Sequence, residues 1–139
     1  GFRARQWLLR ELAAIGAVAG RNLTTPFVRI PPRDGRSLDT AGANLILRVP
    51  GRQPGGRTLV LTAHYDHVGV RNAAIHNGAD DNASGTVALL TLAERLLREP
   101  PQHDVVLAWL DGEEVGLQGA RALVNDPPVP LERIAANIN

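Results

Sequence analysis

Three short stretches hold the residues capable of chemistry. His64-Tyr65-Asp66-His67 sets an imidazole two residues ahead of a carboxylate, Asp80-Asp81-Asn82 places two carboxylates beside an amide, and Asp111-Gly112-Glu113-Glu114 carries three carboxylates in four residues. Imidazole and carboxylate donors in a chain with no Cys suit a catalytic zinc site better than a structural one, and Mn²⁺ or Co²⁺ accepts the same donors. Within the first stretch, Asp66 could hold the second ring nitrogen of His64 and so fix its orientation and raise its basicity. Glu113 and Glu114, as neighbours, point in different directions, so one can coordinate a cation while the other takes a proton from water.

Each stretch also has a plainer use. An Asp-Asp-Asn run ahead of a helix ordinarily caps it by accepting from orphan N–H groups. A lone His at a strand end is ordinarily a hydrogen-bonded surface residue. What weighs against these uses is where the three stretches fall along the chain.

The run 58–63 is almost continuously apolar and of strand length, which predicts a strand buried on both faces that ends at His64. Apolar residues at helical spacing predict a helix over 86–97, stopping before Pro100-Pro101. A second buried-type strand over 105–110 leads directly into Asp111. Strand, helix and strand in that order join parallel neighbours, whose carboxyl ends share one edge of a sheet, the place where α/β proteins bind ligands. His64, the Asp80-Asp81 pair and the Glu113-Glu114 pair are thereby expected to face one crevice.

Around this unit, Leu8, Leu12 and Ile15 predict an amphipathic opening helix over 2–18, with Gly16 and Gly20 as stop signals. The β-prone runs 27–30 and 45–49 predict a pair of antiparallel strands with a long connection through Pro31, Pro32 and Asp34-Gly35, and 51–56 predicts a turn. A helix over about 116–124 and a strand beginning at 134 complete the pattern. The expected fold class is α/β, a mixed and largely parallel sheet flanked by helices in three layers.

The 139 residues suffice for one domain or part of one. With 44% hydrophobic and 21% charged residues, the composition is that of a globular chain. Fifteen basic residues, all Arg, against fourteen acidic ones leave a net charge of +1, so attraction to nucleic acid or to a membrane has no basis, and peptides or small molecules are the expected partners. The chain has no Met and no charged-then-apolar leader, which reads as a processed or trimmed product.

The stretches Ala63-His64-Tyr65-Asp66-His67-Val68-Gly69, Asn77-Gly78-Ala79-Asp80-Asp81-Asn82-Ala83-Ser84-Gly85 and Asp111-Gly112-Glu113-Glu114-Val115-Gly116-Leu117-Gln118-Gly119 together resemble family twenty-eight of the metallopeptidases, the di-zinc aminopeptidases, from about Ala43 to Asn139. The resemblance implies a zinc-exopeptidase fold and hydrolysis of N-terminal peptide bonds by a metal-activated water. It implies that His64 binds one zinc, that Asp80 bridges both, that Glu114 binds the other and that Glu113 is the general base. Asp66 is similar to the family's residue behind the ligating histidine, and Asp81 to the one after the bridging carboxylate, with a cis peptide bond between Asp80 and Asp81. A periplasmic or secreted setting is implied as well.

The family pattern also uses an Asp and a His that come after anything matching here, the Asp directly past Asn137-Ile138-Asn139. The 139 residues are therefore expected to be the N-terminal half of a catalytic domain, metal-poor and inactive alone, with an exposed sheet edge prone to self-association. His67, His76 and His103 do not replace the missing donors; His103 belongs to the far end of a strand, while His76 is placed near the cleft. Two other readings share the fold: a glutaminyl-cyclase-like acyltransferase using one zinc, and a non-catalytic binding module. The Asp-Asp-Asn run and the paired Glu favour the peptidase, and retention of His64, Asp80, Glu113 and Glu114 disfavours a decayed module.

Overall fold

The computed structural model describes residues 1–32, 39–53 and 55–139. Five strands form the central sheet: β1 (Leu23–Thr24), β4 (Leu45–Val49), β8 (Val105–Leu110), β5 (Thr58–His64) and β9 (Ile134–Ile138), in that spatial order. β4 is antiparallel to both β1 and β8, whereas β8, β5 and β9 are mutually parallel. The sheet is mixed, as expected. Two hairpins stand apart from it, β2 (Phe27–Ile30) with β3 (Thr40–Ala43), and β6 (Gly69–Arg71) with β7 (Ala74–His76).

The apolar character of β8, and of β4 apart from exposed Arg48, follows from burial on both faces, because alternate residues must enter opposite layers. Leu45, Leu47, Val105, Leu107 and Trp109 pack on one side with Leu8 and Leu12 of helix α1 (Phe2–Ala14) and with Leu89 and Ala93 of helix α2 (Ser84–Arg98). Ile46, Val60, Val106, Ala108 and Leu110 pack on the other with Ala120 and Leu123 of helix α3 (Gln118–Asn125). The result is three layers around β8.

β5, α2 and β8 form the expected strand–helix–strand unit, with β5 and β8 paired in parallel from Leu59 against Val105 to His64 against Leu110. Both strands therefore end at the same edge. Two polar ties from α2 hold that edge: Thr86 Oγ1 donates to the His64 carbonyl at 2.9 Å, and Trp109 Nε1 donates to the Thr86 carbonyl at 3.0 Å.

One predicted pairing is corrected. Phe27–Ile30 pairs with Thr40–Ala43 and not with Leu45–Val49, which instead joins the main sheet against β8. Burial explains the difference: β4 is buried at four of its five positions, whereas β2 is buried only at Val28, so β4 belongs inside a sheet and β2 outside it. The Asp34-Gly35 part of the predicted connection, and Pro54 of the predicted turn, lie outside the described residues. The strand predicted from Ile134 is β9, at an edge of the sheet and largely exposed.

Candidate metal centre

His64 is the last residue of β5 and is 7% exposed. Its Nδ1 lies 3.1 Å from the Asp66 carbonyl oxygen, and its Nε2 lies 2.9 Å from Asp81 Oδ1 and 3.9 Å from Glu113 Oε2. Both ring nitrogens thus face acceptor oxygens, whereas a neutral imidazole has a single N–H. The Nδ1–H tautomer satisfies the carbonyl and turns the Nε2 lone pair toward two carboxylates, which is how a metal-ligating imidazole is normally presented.

Asp66 is expected from the sequence to orient His64 through its carboxylate. That contact is the looser one, Nδ1 to Asp66 Oδ1 being 3.6 Å, and the backbone carbonyl of Asp66 makes the closer one. The Asp66 carboxylate instead accepts the backbone N–H of Glu113 at 3.0 Å and of Glu114 at 3.2 Å. Gly112, with φ 69°, turns the chain sharply out of β8 so that those N–H groups reach it. One buried carboxylate therefore fixes the paired glutamates relative to His64.

The carboxylate against His64 belongs to Asp81 and not to Asp80. The segment Ala79–Ala83 enters α2 with Asp81 and Asn82 in non-helical backbone conformations, and the cis peptide bond joins Asp81 to Asn82, one bond later than expected. Asp80 is exposed; its carbonyl accepts the Ser84 hydroxyl at 2.8 Å, and among the described residues no hydrogen bond or ion pair involves its carboxylate. The signal available in the sequence is local. Two adjacent aspartates point to different sides, and only the backbone turn between them decides which faces the strand end.

The two glutamates line different clefts, so the expectation that all three stretches face one crevice is corrected. Glu113 shares a cleft of about 400 Å³ with His64, Asp81 and Asn82, walled by Leu117, Leu123 and Val124. Glu114 opens into a different one of about 410 Å³, beside Val68, Val70 and Arg71. Its Oε1 is buried and has no hydrogen-bond partner. An ionised oxygen in that state costs several kcal/mol unless a cation or donor meets it. Among the described residues no three His, Asp or Glu side chains close around one point; His64 and Asp81 form one pair of donors and Glu114 stands apart. The imidazole and carboxylate of His64 and Asp81, and the orphaned carboxylate oxygen of Glu114, are of the donor kinds that fit zinc.

A second, inner network holds the frame. Asp111, 3% exposed, accepts from Tyr65 Oη at 2.7 Å, from the Ala43 N–H at 3.2 Å and from the Gly112 N–H at 3.1 Å. Tyr65 Oη also lies 2.6 Å from the Ala43 carbonyl. Asn44, fully buried, accepts the Asp111 N–H at 3.1 Å and donates to the Gly119 carbonyl at 2.8 Å. Burial, and then the neighbouring Asp111, push the Tyr65 phenol far above its usual pKa, so it remains a neutral donor. Sequence reasoning misses Tyr65, Asp111 and Asn44 as a group because only the pairing of β4 with β8 brings 44 beside 111.

The remaining histidines stay out of the centre. His67 is exposed, with Nδ1 2.9 Å from the His76 carbonyl and 3.1 Å from the Gly69 nitrogen, so it braces the base of the β6–β7 hairpin. His76 contributes its backbone there, and its side chain is exposed. The His103 backbone packs beside Gly51 at the opposite end of the sheet, as expected.

Known proteins share this sequence pattern. A vacuolar membrane protease of Lachancea thermotolerans is 31% identical over 105 residues, 76% of this chain and 10% of that protein. A "Probable zinc metalloprotease" of Pyrenophora tritici-repentis is 28% identical over 134 residues, 86% of this chain and 26% of that protein. Leucine aminopeptidase 1 of Trichophyton rubrum is 30% identical over 136 residues, 88% of this chain and 33% of that protein. The chain thus spans between a tenth and a third of these curated relatives. The names overturn the expected periplasmic or secreted setting, since two of the similar proteins, from Lachancea thermotolerans and Vanderwaltozyma polyspora, are vacuolar membrane proteases.

Among solved structures, a Zn-dependent exopeptidase from Parabacteroides distasonis superposes with TM-score 0.70 at 21% identity, covering 92% of this chain and 48% of that one. An Acidobacteriales bacterium glutaminyl cyclase superposes with TM-score 0.76 at 23% identity, covering 96% and 47%. At such identities the likeness establishes the zinc-exopeptidase fold, which both kinds of enzyme share. The profile of Peptidase family M28 matches residues 44–139, from buried Asn44 to the end of β9 and across all three acidic and histidine-bearing stretches, and the chain belongs to that family.

Proposed function

We propose that the protein is a zinc-dependent aminopeptidase in which His64, Asp81 and Glu114 would hold a pair of zinc ions, with Asp81 in the place expected of Asp80, and Glu113 would be the general base. The observation that carries this reading is the 2.9 Å approach of His64 Nε2 to Asp81 Oδ1, with Glu113 Oε2 3.9 Å from the same nitrogen. It supports Asp81 over Asp80 for the shared position.

When bound, zinc supplies Lewis-acid polarisation of the scissile carbonyl and a lowered pKa for the attacking water. The rest is done by the chain. Glu113 holds its carboxylate in the cleft with no hydrogen bond of its own among the described residues, so it is available to accept the water's proton and return it to the leaving amine. Asp66 keeps Glu113 and Glu114 in register by accepting both of their backbone N–H groups. His64, held at Nδ1 by the Asp66 carbonyl, presents Nε2 as a donor. Peptides are the substrate class. Among the described residues no three such donors close around one point, so the 139 residues alone are metal-poor and inactive.

The test is hydrolysis of a leucyl peptide by the zinc-loaded intact protein, run beside cyclisation of a peptide with an N-terminal Gln. Release of free leucine without cyclisation is the expected result. Cyclisation without hydrolysis would overturn the reading in favour of the acyltransferase that shares the fold.

A further inference from the structure

The cleft that Glu114 lines is also bordered by the β6–β7 hairpin. β6 and β7 are joined by a two-residue turn in which Asn72 has φ 51° and Ala73 has φ 61°, the left-handed pair that matches the twist of a tight hairpin. Asn tolerates this conformation and Ala does so less readily. Such a hairpin holds the flanking residues in one register, Gly69 against His76 and Arg71 against Ala74. Its first strand lines the cleft with Val70 and Arg71, and Val68 precedes it.

Arg71 is exposed, and among the described residues no ion pair or side-chain hydrogen bond engages its guanidinium. Glu114 lines the same cleft and keeps one buried oxygen unpartnered. An unpaired guanidinium and an unpartnered carboxylate therefore border one space of about 410 Å³ without neutralising each other. Val68 and Val70 line the same space, Val70 being largely exposed. The occupant that satisfies both ends carries a positive or metal-directed group at Glu114 and an anion at Arg71. Guanidinium groups read carboxylates by paired N–H donors.

We infer that Arg71 is a specificity-determining residue that binds a carboxylate on the residue following the scissile bond, so that the protein favours substrates offering one there. This rests on the peptidase reading, with the bond cut beside Glu113 and Glu114. One extended residue spans at most about 3.6 Å, and Glu114 directly follows Glu113 in the chain, so the cleft that Glu114 lines is the one we assign to the α-carboxylate of a dipeptide or to the side chain of an acidic second residue. The chemistry is the same for both sources, and substrates separate them.

The experiment compares Leu-Gly with leucyl-glycinamide, and leucyl-aspartyl amide with leucyl-asparaginyl amide, on the zinc-loaded intact protein and its Arg71→Gln and Arg71→Lys variants. A charge-assisted hydrogen bond corresponds to about tenfold to a hundredfold in kcat/KM. The wild type is expected to prefer the carboxylate member of at least one pair by that factor, Arg71→Gln to bring the ratio near unity, and Arg71→Lys to restore part of it. Preference in the first pair assigns the α-carboxylate, and preference in the second the acidic side chain. Amide hydrolysis with ratios near unity in the wild type, or an equal fall on both members in Arg71→Gln, would overturn this inference while leaving the peptidase reading intact. Failure to cleave any of the four would overturn both.

Discussion

Asp80 and Asp81 have the same side chain one residue apart, and their surroundings give them opposite fates. Asp81 faces His64 across 2.9 Å, while the Asp80 carboxylate projects from an exposed position. Removing one negative charge from each without changing its shape therefore separates them. Asp81→Asn is expected to lower zinc affinity of the intact protein by at least tenfold, whereas Asp80→Asn leaves it within about twofold, as measured by competition with a chromophoric chelator. The glutamate pair divides in a different way. Glu113→Gln is expected to retain zinc and to lower kcat by about a hundredfold to ten-thousandfold, the usual worth of a general base. Glu114→Gln is expected to lose zinc, because it weakens the donor whose oxygen lacks any other partner. Equal zinc retention in both variants would contradict the division.

At the scale of elements, two loops leave the parallel strands and are stapled together twice, by Tyr65 on Asp111 and by Asp66 on the Glu113 and Glu114 backbones. Tyr65→Phe removes one of these and leaves the buried Asp111 short of a donor, which is expected to cost about 1–3 kcal/mol of stability in denaturant unfolding. Gly119 meets the same frame from α3: an added Cβ would lie 2.5 Å from both Asn44 Oδ1 and the Asp111 carbonyl oxygen. Gly119→Ala is therefore expected to destabilise the chain measurably by the same assay. The strands and helices that position the site are legible in the sequence, since β5 and β8 are almost continuously apolar and α2 carries apolar residues at helical spacing. β1, β3 and the β6–β7 hairpin are not, because two to four residues with at most one buried position each leave no periodicity to read. The site is legible as residue types and strand ends. Which aspartate faces inward is not, since that depends on the backbone path through Asp81 and Asn82, and sequence spacing is blind to it.

The whole molecule is a three-layer sandwich with β9 at one edge of its sheet, and that strand is mostly exposed. Its parallel partner β5 satisfies only one side of its backbone, so the other presents unpaired N–H and C=O groups. Self-association of the 139-residue chain through this edge is proposed; sedimentation should show concentration-dependent dimers, and Ile138→Lys, placed where the side chain is 57% exposed, should reduce them. A monomer at all concentrations would refute it. The same edge lies beside Asn139, whose side chain accepts from the Thr62 hydroxyl at 2.9 Å in the cleft with His64 and Glu113. Donors entering from that side would reach the centre directly.

The central claim is that His64, Asp81 and Glu114 hold divalent cations that the chemistry requires. Elemental analysis of the purified intact protein, wild type and Asp81→Asn, tests it most directly. The account predicts about two zinc ions per wild-type chain and a large loss in the variant, with circular dichroism unchanged. A wild-type protein without bound metal after zinc loading, or an Asp81→Asn protein with its full complement, would contradict it.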